Sequence, residues 1–117
     1  MKKVTTYTAQ IYVGLRVGYG GEIHSIELVE WLCQDYVNEI GWCVTVTPTS
    51  FYYKNGEEPG AIIGAINYPR FPITKTDFKK RVMKLAGTLL IELKQLRVSI
   101  VFPDETVMLE KDDYDKS

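Results

Sequence analysis

The sequence has very few histidines and cysteines, the residues from which most zinc centres and all disulfide frameworks are built. Its 117 residues include one histidine and two cysteines, and neither a CxxC nor an HxxxH spacing occurs. The two cysteines, Cys33 and Cys43, fall in segments predicted as a helix and a strand, where small buried thiols are common. We therefore expect two free thiols, no metal and no cofactor, in a reducing compartment such as the cytoplasm.

Long apolar runs and a strong charge bias are also lacking. Hydrophobic residues make up 45% of the chain, charged residues 25%, and the formal net charge is −1. Such a composition is typical of globular proteins and predicts neither duplex nucleic-acid binding nor a membrane span. The start MKKVTTYTAQ also lacks the apolar core of a signal peptide. We predict one domain over residues 1–110, followed by a mobile acidic tail over 111–117.

The first half of the chain shows a strand pattern followed by a helix pattern. Apolar and polar residues alternate over residues 5–17, which predicts an unusually long first strand. Residues 25–40 then carry apolar side chains at helical spacing, with Ser25 suited to the N-cap and Gly41 to the end of the helix. The glycine-rich stretch 18–21 separates the two elements and is interpreted as a structural turn, although it could also hold a phosphate.

The second half predicts a hairpin, a helix and two short strands. Asn55-Gly56 marks a turn between strands, and we expect its loop to extend to Gly60 before the return strand begins near Ala61. A second helix is predicted from Thr76 onwards. Strands are predicted at 97–102 and, as a short extra element, at 106–109.

This order of elements predicts an α+β fold of the ferredoxin-like type. In this split βαβ arrangement, two helices cover one face of an antiparallel sheet. The other face must meet water or another subunit. Tyr12 and the aromatic residues of the hairpin are candidates for that second face, and exposed aromatic faces often mark interfaces. We therefore predict a homo-oligomer, either a dimer or a trimer.

The hairpin also carries residues that point to a known family. They are Cys43, Thr45 and Val46, followed by Thr49-Ser50-Phe51-Tyr52-Tyr53 and Gly56. With these residues the chain resembles the CutA proteins, small ferredoxin-like trimers related in architecture to the PII signalling proteins. The resemblance implies a trimer whose sheets pack around an axis, with clefts between subunits that bind nucleotides or other small anionic ligands. A role in divalent-metal handling would rest on the resemblance alone.

The sequence offers few residues for catalysis. His24, the only histidine, lies beside Glu22 and Glu27 at a helix start, where a polar residue near the cap is the ordinary interpretation. A general base needs an orienting partner and a nucleophile within reach, and no local motif supplies either. The basic residues between Lys75 and Lys84 on the second helix are interpreted as a solvated face or, alternatively, an anion site.

The sharpest candidate site lies where the hairpin ends. Asn67 offers amide groups for a base edge or ribose, Tyr68 and Phe71 offer stacking faces, and Arg70 can grip a phosphate. The alternative is that the two rings fill the base of the core while Arg70 is solvated. The other predicted ligand-binding residues are Tyr52, Tyr12 and Arg16.

From these observations we predict a non-enzymatic, oligomeric protein that senses or sequesters a nucleotide-like anionic ligand at subunit clefts. Two alternatives remain open. One is an inhibitor or adaptor that binds a protein partner through the aromatic sheet face. The other is a small enzyme that uses His24 or a tyrosine in a cleft.

Overall fold

Five strands form one antiparallel sheet, and two α-helices pack on one of its faces. The structure is a computed structural model that describes residues 1–114. Its elements in chain order are β1 (Thr8–Gly14), α1 (Ile26–Ile40), β2 (Thr45–Tyr53), β3 (Gly56–Ile66), α2 (Lys75–Glu92), β4 (Arg97–Val101), β5 (Thr106–Glu110) and a 3-10 helix (Lys111–Asp113). The strand order β2-β3-β1-β4-β5 confirms the α+β, ferredoxin-like prediction, with a short fifth strand beside β4.

The core lies between the helices and every second residue of the central strands. Ile11 and Val13 of β1 point into it and are 2% and 1% exposed. Phe78 of α2 is also buried, and its ring centroid lies 6.0 Å from those of Tyr7 and Trp42. These three rings tie the start of the chain and the end of α1 to α2, so we expect Phe78 to contribute strongly to stability.

Both cysteines are free thiols, Cys33 in the core and Cys43 half-buried. Burial raises the pKa of Cys33 to about 11. Because the thiolate is the reactive form of cysteine, Cys33 is a poor nucleophile near neutral pH.

The first strand is shorter than its alternating pattern predicted. β1 ends at Gly14, which pairs with Gly60 of β3. Beyond it, Arg16 pairs only with Ile23, in an isolated bridge. Between these two residues the chain reverses at Gly18 and Gly20, whose φ angles are 60° and 79°. The reversal is what ends the strand, because both glycines adopt the left-handed region that other residues avoid.

The hairpin turn is tighter than predicted. Tyr53 pairs directly with Gly56, so only Lys54 and Asn55 form the turn, with Asn55 at a φ of 61°. The expectation of a loop that reaches Gly60 is therefore wrong. Residues 56–60 belong to β3, and Glu58 lies in the sheet opposite Phe51.

The helix boundaries follow the capping residues. Ser25 caps α1 and Gly41 ends it in a left-handed conformation, as predicted. α2 begins at Lys75, one residue before the predicted start, because Oγ1 of Thr74 accepts a hydrogen bond from the backbone N–H of Asp77. No helix within residues 1–114 is long and apolar enough to cross a membrane.

The sheet face opposite the helices, which we call the open face, carries the side chains of Tyr12 and Ile62, which are directly opposite each other. Phe51 and Tyr53 lie on the same side, whereas the register turns Tyr52 to the other side of β2. Tyr12 therefore belongs to the predicted second face, but only part of the hairpin's aromatic cluster joins it.

The C-terminal segment folds back towards α2. A Cβ atom at Gly87 would lie 2.6 Å from the Tyr114 hydroxyl, so the ring of Tyr114 lies close over this glycine. The first residues of the segment predicted as a mobile tail, 111–114, therefore form the 3-10 helix and its C-terminal cap. Its last residues, 115–117, lie outside the described residues.

Candidate functional site

Two facing glycines leave a gap in the open face at the end of β1. Gly14 pairs with Gly60, so neither strand contributes a side chain at this level. On the Gly60 side the gap is covered, since a Cβ atom there would clash with the Phe51 ring. The space over Gly14 is approached by polar side chains instead.

Two hydrogen-bond acceptors converge on Gly14. A Cβ atom built on this glycine would lie 3.0 Å from Oε1 of Gln95 and 3.2 Å from Oε1 of Glu58. Neither oxygen can donate to the other when Glu58 is ionised. A cation or a group with several donors would satisfy both together, as an ammonium or a pair of hydroxyls does.

Gln95 is held in place by its backbone and its amide nitrogen. The residue is 9% exposed, and Nε2 donates to the carbonyl oxygens of Arg16 at 3.0 Å and Leu93 at 2.9 Å. These two bonds assign the nitrogen, and they leave Oε1 directed towards Gly14. Such a buried, doubly anchored amide presents its oxygen in a fixed position.

His24 supports the same loop rather than forming a catalytic pair. Its Nε2 lies 3.1 Å from the Leu93 carbonyl oxygen, and Nε2 must carry the proton to donate there. Leu93 O therefore accepts from both His24 and Gln95. This contact agrees with the interpretation of His24 as a polar residue near a helix start.

Basic and aromatic side chains complete a small groove at this end of the sheet. This polar groove, about 170 Å³ in volume, is lined by Arg16, Tyr19, Glu58, Gln95, Arg97 and their neighbours. It combines one carboxylate, one fixed amide oxygen and two guanidinium groups. Such a set suits a zwitterion, whose ammonium would face Glu58 and whose carboxylate would face an arginine.

A larger apolar groove adjoins the polar one. It measures about 410 Å³ and includes Val17, Leu90, Ile91, Lys94, Leu96 and Tyr114 in its walls. Gly18, Gln95 and Leu96 line both grooves. The volume falls within the usual range for small-molecule sites, roughly 300–1,000 Å³.

The predicted residues at the hairpin exit lie together at the opposite end of the sheet. The side chain of Asn67 is buried and engaged with the backbone, since Nδ2 donates to Thr5 O and Oδ1 accepts from Ile73 N. The rings of Tyr68 and Phe71 lie 5.4 Å apart, while Arg70 is exposed. A ligand-binding role for this cluster stays a prediction.

Tyr68 is unsuited to proton transfer near neutral pH. Burial and the neighbouring Cys43 raise its pKa to about 12, so the phenol stays protonated. It lines a third groove of about 520 Å³ on the open face, between Thr8, Thr45 and Ile66.

The remaining predicted residues do not join the hairpin-exit cluster. Tyr12 lies in the middle of the open face, Tyr52 near the hairpin turn, and Arg16 in the polar groove. In the basic stretch of α2, Lys75 and Lys79 both lie 3.6 Å from Asp104. These ion pairs favour the solvated-face interpretation of that stretch.

Within residues 1–114, no group of three or more histidine, cysteine, aspartate or glutamate side chains is arranged to hold a metal ion.

Sequence reasoning missed Glu58, Gln95 and Arg97. The sequence pattern predicts a loop at Glu58, and Gln95 belongs to no motif. The available signal was the pairing of Gly14 with Gly60, but it becomes visible only once the tight Asn55 turn sets the register.

No protein-family model matches the sequence, and no curated protein matches it. Two solved structures share its fold. A phage SAM lyase in its apo state aligns over 96% of each chain, with a TM-score of 0.81 and 20% sequence identity. A phage SAM lyase in complex with S-methyl-5′-thioadenosine aligns over 98% of each chain, with a TM-score of 0.76 and 19% identity.

These likenesses correct the functional prediction. Both neighbours are described as a lyase, so the prediction of a non-enzymatic protein that senses or sequesters its ligand is wrong. The expectation of a small ligand agrees with the S-methyl-5′-thioadenosine bound to one neighbour. The resemblance to CutA and PII proteins is not tested by these comparisons and stays a prediction.

Proposed function

We propose that this protein is a lyase that cleaves S-adenosylmethionine (SAM) and releases S-methyl-5′-thioadenosine (MTA). The observation that carries the proposal is the convergence of the Glu58 and Gln95 oxygens on Gly14. It occurs in a fold shared over nearly the full chain with SAM lyases. The site is the polar groove, and the substrate's methionine part, which carries an ammonium, a carboxylate and a sulfonium, matches the charges of its walls.

The reaction breaks the bond between sulfur and Cγ of the methionine part. The electron pair of that bond stays on sulfur, which changes from a cationic sulfonium to the neutral thioether of MTA. Two reactions of the four-carbon fragment need no water. Either its own carboxylate oxygen attacks Cγ and closes a lactone, or a base such as the Glu58 carboxylate takes a proton from Cβ and a double bond forms between Cβ and Cγ.

Glu58 and Gln95 would act on this reaction mainly through binding and orientation. Their oxygens accept hydrogen bonds from the α-ammonium, and the Glu58 carboxylate attracts the adjacent sulfonium. Arg16 or Arg97 would hold the α-carboxylate. The α-carboxylate would then be held at one end of the flexible four-carbon chain and the sulfonium at the other. Fixing both ends places the reacting atoms close together, which is a large source of rate enhancement.

Purified protein incubated with SAM should produce MTA in an amount equal to the SAM consumed, as measured by liquid chromatography with mass spectrometry. Glu58→Gln should lower kcat/KM at least about tenfold, because a charge-assisted contact is lost. Glu57→Gln is the matched control, since Glu57 pairs with Tyr52 and points to the other side of β3. SAM left intact by the wild-type protein would refute the lyase proposal.

A homo-oligomer remains part of the proposal, with the open face as the contact between copies. Its support is the exposure of Ile66 and Met108, 43% and 49%, on a sheet face that no helix covers within residues 1–114. Tyr12 lies half-buried between these positions, so Tyr12→Glu should weaken association. Sedimentation at micromolar concentration should show a dimer or trimer for the wild type, and a monomer at every concentration would contradict the assembly.

A further inference from the structure

The apolar groove gathers exposed apolar side chains from three separate segments. Ile91 at the end of α2, Leu96 in the following loop and Tyr114 at the C-terminal end are 55%, 50% and 45% exposed, and all three line this one groove. Scattered exposed apolar residues are ordinary, but a convergent set beside a polar site is typical of ligand binding. Among the described residues that line the groove, only Tyr114 supplies an aromatic ring.

The loop that joins the two grooves has an unusual backbone. α2 ends with a pair of hydrogen bonds, from Lys94 N to Ile91 O at 3.1 Å and from Gln95 N to Leu90 O at 2.9 Å. This ending requires a left-handed residue at position 94, where glycine is usual, yet the chain has lysine there with a φ of 53°. Any residue other than glycine loses some stability in this left-handed conformation. The Lys94 residue also lines the apolar groove.

The two grooves are placed to receive one molecule. They share Gly18, Gln95 and Leu96, so a ligand held by Gln95 in the polar groove reaches the apolar groove directly. The groove beside Tyr68 and Thr8 is larger, but it lies at the other end of β1. Thr8 and Gly14 are separated by the length of that strand, about 20 Å, so the Tyr68 groove is out of reach of Gln95.

We infer that the apolar groove is the nucleobase subsite of the enzyme, with the Tyr114 ring and the Leu96 and Ile91 side chains packed against the base. The inference rests on the proposed lyase function and deepens it. It assigns the amino-acid part of the substrate to the polar groove and the nucleoside part to the apolar groove. It also makes the segment after β5 part of the site.

The test uses MTA as the probe, because MTA contains the nucleoside but lacks the amino-acid part. In wild-type protein with labelled isoleucine and leucine methyl groups, added MTA should shift the NMR signals of Ile91 and Leu96 through the ring current of the base. The signals of Ile62 and Ile66 on the open face should stay in place. Shifts confined to Ile62 and Ile66 would overturn the assignment.

A variant pair checks the same subsite through affinity. Tyr114→Ala should weaken MTA binding roughly fivefold to hundredfold, the range found when a stacked aromatic side chain is removed. Trp31→Ala is the control, because Trp31 is an exposed aromatic residue on α1 and lines neither groove.

The possible outcomes separate the two claims. If wild-type protein converts SAM but Tyr114→Ala binds MTA as tightly as wild type, the nucleobase subsite is wrong and the lyase proposal stands. If wild-type protein neither binds MTA nor converts SAM, both are wrong.

Discussion

Replacing Glu58 with glutamine should weaken SAM binding about tenfold to hundredfold and change MTA binding by less than about twofold. The difference follows from the ligands' charges. SAM carries an ammonium and a sulfonium that the Glu58 carboxylate would face beside Gln95, whereas MTA carries neither. Loss of one charge-assisted hydrogen bond to a partly buried group costs roughly 1.5–3 kcal/mol. Because the wild-type protein would consume SAM, the two ratios are measured from initial rates over a range of SAM concentrations and from the inhibition constant of MTA, in wild-type and variant protein.

Glu57→Gln controls for the change in net charge. It removes the same charge from the neighbouring residue, but Glu57 is exposed and lies on the opposite side of β3. Its affinity for both ligands should match the wild type. If Glu58→Gln weakened SAM and MTA equally, Glu58 would be shaping the groove rather than recognising the amino-acid part.

Replacing Phe78 with alanine should destabilise the protein far more than the loss of an exposed aromatic side chain. Phe78 is 1% exposed and contacts the rings of Tyr7 and Trp42, so its removal leaves a cavity in the core. Such substitutions cost about 3–5 kcal/mol. For a chain of this size, that loss corresponds to a fall in Tm of roughly 12–20 °C, measured by circular dichroism.

Phe71→Ala provides the comparison within the same residue type. Phe71 is 38% exposed and contacts Tyr68 at the end of the hairpin, so its loss should cost less than half as much. An equal fall in Tm for the two variants would show that the hairpin exit is as much a part of the core as α2. That result would favour the alternative interpretation of Tyr68 and Phe71 as rings that fill the base of the core.

The parts of the fold that could be predicted are those set by local chemistry. Ser25 and Gly41 mark the two ends of α1 because capping depends on the residues at the cap itself. The ferredoxin-like order of elements followed from hydrophobic periodicity. By contrast, apolar and polar residues continue to alternate past Gly14, and this pattern does not show where β1 ends. The end of a strand depends on its pairing with the neighbouring strand, here β3.

The candidate site was harder to predict because it depends on register. The predicted hairpin turn is too long, so the prediction places Glu58 in a loop rather than in β3. With that turn, the pairing of Gly14 with Gly60 cannot be predicted either. Gln95 is brought to the site by the left-handed Lys94 and by the hydrogen bond of its amide to the distant Arg16 carbonyl oxygen. No local pattern encodes those contacts. Arg16 was the one predicted ligand-binding residue that the structure places in the polar groove.

The most direct test of the account is to run the SAM reaction in water labelled with oxygen-18 and to analyse the four-carbon product by tandem mass spectrometry. A lyase should give MTA and a product without labelled oxygen on Cγ, because the lactone oxygen comes from the substrate's own carboxylate and the alkene carries none. Later opening of a lactone at its carbonyl places the label in the carboxyl group. Labelled oxygen on Cγ would identify a hydrolase, and that result would contradict the account.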